Sequence, residues 1–182
     1  MKLKRGLSSV LSLVLIFPLI GCGKTVTLAQ FAPYVRQSAT AINNAVSDAW
    51  AAGIITSTQY ENAREAIAKY GEFAPKTADF LASLQTLDSH NKAEVIGKLS
   101  EGIAIGKQIA LASGLPPNSV AARVISAIVL GLDTTKSTIE AIKLSDNGIG
   151  VASVGEKTSI PASEIKATIP KTDKETAKYF EK

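Results

Sequence analysis

From about residue 33 to residue 144 the apolar positions recur with the period of an α-helix. Leu28, Phe31, Val35, Ser38, Ile42, Ala45, Ala49 and Ala52 step by three and four and form one stripe. Pro33 suits the first turn of a helix, so the regular helix is expected to begin there and to end at Gly53. Residues 22–32 then read as a tether. Thr58 and Glu61 have the spacing of a capping box. Behind them Tyr60, Ala63, Ile67 and Tyr70 share one side of a second helix, which Gly71 and Pro75 interrupt. Residues 75–87, with Phe80, Leu81, Leu84 and Leu87, are either a separate helix or the continuation of a kinked one.

Asp88-Ser89-His90-Asn91 reads as a turn, with Asn91 and Glu94 opening a helix over about 92–113 that stops at Gly114. Leu115-Pro116-Pro117-Asn118 forbids continuation, and Ser119 opens a last long helix to about Leu144. Helices joined by short polar turns pack as antiparallel neighbours. The expectation is an all-α fold: an up-and-down bundle of four or five helices over 33–144. Ala41, Ala45, Ala49 and Gly53 repeat every four residues, as do Gly102, Gly106, Ala110 and Gly114. Small residues at that spacing bring helix backbones close, inside the bundle or at a dimer seam. After Leu144 turn formers and isolated aliphatics take over. Residues 145–182 read as a flexible or loosely docked tail, with a short strand pair near 149–160 and a helix over 173–181 capped by Thr172 and Glu175.

The first 22 residues have a different pattern. Met1-Lys2-Leu3-Lys4-Arg5 brings three positive charges, and no acid precedes Asp48. An apolar run follows from Leu7 to Ile20, the form of an export signal. Fourteen residues of helix reach about 21 Å, short of a hydrocarbon core of about 30 Å. The run ends in Leu19-Ile20-Gly21-Cys22, and here residues 1–23 resemble the signal and lipobox of bacterial lipoproteins. The resemblance implies diacylglyceryl transfer to Cys22, cleavage of residues 1–21 and often acylation of the new amino end. Two or more acyl chains hold a protein stably on a membrane. Gly rather than Asp at position 23 resembles lipoproteins sent to the outer membrane where the host is Gram-negative; otherwise the outer face of the cell membrane is expected.

Loss of 1–21 leaves 161 of the 182 residues, enough for one domain with a real core. It also removes three of the 20 basic residues, leaving 17 against 16 acids, so the basic pI belongs to the signal and gives no support for nucleic-acid binding. Cys22 is the only cysteine, and lipidation consumes its thiol. No internal disulfide and no His/Cys metal site can then form in the monomer.

Candidate chemistry is sparse. His90 is the only imidazole and sits in a polar turn. Glu61 and Glu65 lie one helical turn apart, but Arg64 and Lys69 follow them in the pattern of a solvated face. Gly21-Cys22-Gly23-Lys24-Thr25 ends like a phosphate loop without its first glycine, since position 18 is Pro. Trp50, the only tryptophan, is a core residue or an anchor for a partner. The terminal Lys182 superficially resembles the lysine by which some envelope lipoproteins join peptidoglycan. The expected function is a non-catalytic envelope lipoprotein, without cofactor or metal, whose bundle contacts another envelope protein, with Trp50 a possible partner contact. The alternatives are a carrier with an apolar cavity between helices and a carboxylate-based cell-wall hydrolase.

Overall fold

The structure is a computed structural model and describes residues 23–144 and 157–181. Four long helices form the expected all-α bundle: α1 (Leu28–Ala51), α2 (Ser57–Ser83), α3 (Ser89–Ser113) and α4 (Val120–Ala141). The pairs Ser47–Tyr60 and Ser38–Tyr70 show α1 and α2 running in opposite directions. Each helix packs on the next, and α4 returns to α1. The core runs the length of the bundle, with Phe31, Ile42, Tyr70, Leu81, Leu99, Ile109, Ile125, Leu132 and Ile139 almost wholly removed from water. Tyr70 keeps its hydroxyl bonded inside that core, 2.9 Å from Ser38 Oγ.

Helix starts differ from the sequence expectation because caps outrank prolines. Thr27 Oγ1 accepts from the Gln30 amide at 3.3 Å while Gln30 Oε1 accepts from the Thr27 amide at 3.1 Å. This capping box starts α1 at Leu28, five residues before Pro33. Pro33 is therefore interior. It is exposed, so the missing bond leaves the Ala29 carbonyl to water. The box of α2 is Thr56 with Gln59, not Thr58 with Glu61, and that of α3 is Asp88 with Asn91, which begins the helix at Ser89. Residues 57–83 are one helix that carries Pro75 within it. Gly53 and Gly114 follow their helices at φ +70° and +56°, a region where glycine is unstrained. Ser119 caps α4 as expected, but the helix ends at Ala141 rather than Leu144.

The remaining chain builds four short strands and a final turn of helix. Residues 23–32, read from sequence as tether, instead form β1 (Lys24–Thr27) and the first turn of α1. β1 pairs antiparallel with β4 (Lys166–Ile169), Lys24 opposite Ile169 and Thr27 opposite Lys166. β2 (Thr86–Asp88), in the α2–α3 connection, pairs with β3 (Ser159–Pro161). The expected strand pair near 149–160 falls partly on 145–156, outside the described residues; β3 takes its partner from the helical domain. The last helix, α5, is only Lys174–Ala177, capped by Asp173 rather than Thr172.

The described part of the tail is docked. Ile165 and Ala167 are buried, and Val26 is buried opposite Ala167. Thr168 donates its amide to Thr135 Oγ1, Pro170 packs on Gly131, and Arg123 pairs with Asp173 and Glu175. As the tail number rises the α4 number falls, so the tail runs back along α4 toward its first turn, over the α1–α4 seam.

Candidate functional site

Two places on the bundle combine exposure with unusual chemistry. The first is the end formed by the α1–α2 and α3–α4 connections. The Gln59 side chain beside Gly114 brings the two connections together. Residues 52–58 and 114–119 contain no charged side chain. The α1–α2 turn tucks Ile55 into the core and turns Ile54 outward, 46 % exposed, with both amides directed at the Ala49 carbonyl. Trp50 is 43 % exposed. It stacks on Tyr60 with ring centres 4.7 Å apart and planes 14° apart, and its indole N–H donates to Ser57 Oγ at 3.2 Å. The stack and the bond fix the ring while leaving much of it open to water. Trp50 is therefore a held, half-exposed ring and not a core side chain. Leu111, in the last turn of α3, is 83 % exposed.

The second place is the α1–α4 flank, where β1, β4 and α5 lie. Tyr34 donates to the Ala127 carbonyl at 3.2 Å and stacks on Phe180 at 5.3 Å; Tyr179 donates to Asp48 at 2.7 Å. Burial raises the Tyr34 hydroxyl well above its usual pKa, with Tyr70 adding to it. Burial lifts Tyr179 to about 12, assisted by the hydrogen bond to Asp48 and its charge. These phenols are structural donors that stay protonated. On the α3–α4 side, a groove of about 270 Å³ is lined by Gly106, Ala110, Ile125 and Val129 and by Leu130, which is 45 % exposed.

The residues singled out from sequence are not brought together. Cys22 and Lys182 lie outside the described residues. His90 is exposed in the first turn of α3. Glu61 and Glu65 sit on the solvent face of α2, bonded to Arg64 at 3.3 Å and Lys69 at 2.7 Å. The Lys69 bond and charge hold Glu65 below the usual carboxylate range. Two exposed carboxylates each engaged by a cation do not form an acid/base pair across a cleft. Lys24 and Thr25 are in a strand, whereas a phosphate loop leads into a helix. Of the two rows of small residues, Ala41, Ala45, Ala49, Gly102 and Gly106 are buried within the bundle, whereas Gly53, Ala110 and Gly114 are exposed.

Comparison with models of protein families, with curated proteins and with solved structures finds no match. The case for function therefore rests on residues and geometry alone. Among the described residues no three His, Cys, Asp or Glu side chains cluster to hold a metal ion, and no helix is long and apolar enough to cross a membrane.

Sequence reasoning missed the tail contacts. Their signal was the period-two run Ile165, Ala167, Ile169, which matches Val26 and Leu28 in apolar character. It was too short to outweigh the glycines and prolines around it.

Proposed function

We propose that this chain is a membrane-anchored envelope lipoprotein, non-catalytic, whose bundle docks another envelope protein through the Trp50 end. The anchor half of the reading rests on the basic, apolar and Leu19-Ile20-Gly21-Cys22 segments in their order. The docking half rests on one observation: the lone tryptophan is locked in place yet 43 % exposed, beside Ile54 and two connections, 52–58 and 114–119, that carry no charge. Desolvating such a surface costs little, and a pre-ordered ring loses little entropy on binding. The large side chains filling the bundle interior favour docking over the carrier reading, and the cation-engaged glutamates speak against the hydrolase.

The test is co-purification from solubilised membranes of the native protein and of Trp50→Ala with Ile54→Ser. The expected result is an envelope protein retained by the native chain and lost by the variant, with unchanged helicity. A native chain that retains no envelope component, or a variant that retains the same one, contradicts the reading.

A further inference from the structure

We propose that the bundle lies on its side on an anionic lipid surface, with the α1–α4 flank facing the bilayer. The inference rests on the lipoprotein reading and adds an orientation to it. Gly23 follows the predicted anchor directly. A Cβ at Gly23 would stand 2.3 Å from the Ile169 carbonyl oxygen, so its backbone is pressed against β4. The chain between a lipidated Cys22 and the folded domain is thus a single residue, reaching about 3.5 Å. Nothing of that length can let the domain swing freely.

The exit point sets which face is held. β1 runs against β4, and β4 runs against α4, so Gly23 lies beside Ile169 and Pro170, where Pro170 packs on Gly131 midway along α4. The anchor therefore leaves from the flank and not from an end. Charge on that flank suits an anionic surface. Lys24, Lys166, Lys171, Lys174 and Lys178 are exposed on the strand pair and along the tail. The nearby acids are Asp48, Asp173, Glu175 and Glu181, and Asp173 and Glu175 share Arg123; against the five lysines and that arginine the flank keeps a basic excess. Helices α2 and α3 differ: their six basic side chains, Lys92 and Lys107 among them, are matched by six acidic ones. Basic side chains next to a lipid anchor add electrostatic attraction to anionic headgroups.

The experiment uses the acylated mature chain, its mass first verified, in vesicles of phosphatidylcholine with phosphatidylglycerol. Lipidation consumes the native thiol, so a spin label goes to one introduced cysteine, Lys174→Cys on the flank or Ala68→Cys on the outer face of α2. Nickel-chelating lipids then report proximity to the bilayer. Strong broadening at position 174 with little at 68 is the expected result, and adding Lys171→Glu with Lys178→Glu should shrink the difference several-fold. Equal broadening at both positions, or broadening stronger at 68, overturns the orientation. A difference untouched by charge reversal overturns the lipid-headgroup contact. An unacylated mass overturns the anchor itself and is seen before any label is read.

Discussion

The α3–α4 seam and the α1–α4 seam of the same bundle are closed by different means. Between α3 and α4, glycines let the helices approach closely: a Cβ at Gly106 would stand 2.7 Å from Val129, and one at Gly102 would stand 3.0 Å from Leu132 and 2.7 Å from the Phe73 ring that α2 adds there. Between α1 and α4 the C-terminal chain fills the space, through Pro170, Phe180 and the Tyr179–Asp48 bond. The first seam is a property of two neighbouring helices. The second needs residues some 130 positions apart, since Asp48 and Tyr179 are separated by 131. A bundle can thus be complete in helices yet depend on its tail to cover one flank, and that flank is where the predicted anchor leaves.

The sharpest way to break the contrast is at the glycine seam. Gly102→Val should cost about 1–3 kcal/mol, because the Phe73 ring and Leu132 must yield in a packed core. Chemical denaturation of the variant checks this, and an unchanged midpoint would remove the close-packing argument. At the tail seam, Tyr179→Phe should cost about 1 kcal/mol by leaving Asp48 without its donor. The variant should also lose protection from hydrogen exchange first over 166–180, while α3 and α4 are unaffected.

Alkaline titration compares the tail seam with the α1–α2 core, where Tyr70 of α2 meets Ser38 of α1. Burial lifts Tyr70 to about 12, partly opposed by the Ser38 bond, and Tyr179 lies at about 12 as well. The ordinary value is 10.0, so both groups are raised by folding. Their stabilising effect is whole below pH 10 and is lost as pH climbs toward 12. Stability should therefore fall across that window, and Tyr70→Phe should flatten the fall. A native chain with level stability across the window would contradict these assignments. The smallest effect is expected from Glu65→Gln, which removes only an exposed helical ion pair and should leave the denaturation midpoint indistinguishable from that of the native chain.

What could be read from sequence follows the same division. The four helices and the αL glycines were legible because periodicity and caps are local. Boundaries moved where two local signals competed: Thr27 with Gln30 prevailed over Pro33, and Thr56 with Gln59 over Thr58 with Glu61, since each observed box satisfies two amides that would otherwise be unpaired. Pro75 did not split α2, because Ala74, Thr77, Ala78 and Leu81 remain buried on the stripe begun by Ala63, Ala66 and Tyr70. The docked tail was illegible because Val26, Ala167 and Tyr179 gain their partners only through the tertiary fold. Trp50 could be singled out by its rarity, but its exposure depends on the Tyr60 stack and the outward turn at Ile54.

Modification of Cys22 decides whether the bundle is anchored. The direct measurement is the intact mass of the protein extracted from the membrane fraction, beside a Cys22→Ser variant. The expected result is a chain that begins at residue 22 and carries two or three acyl chains, with both features absent from the variant. An unmodified chain that is soluble and cut elsewhere, or left uncut, would contradict it.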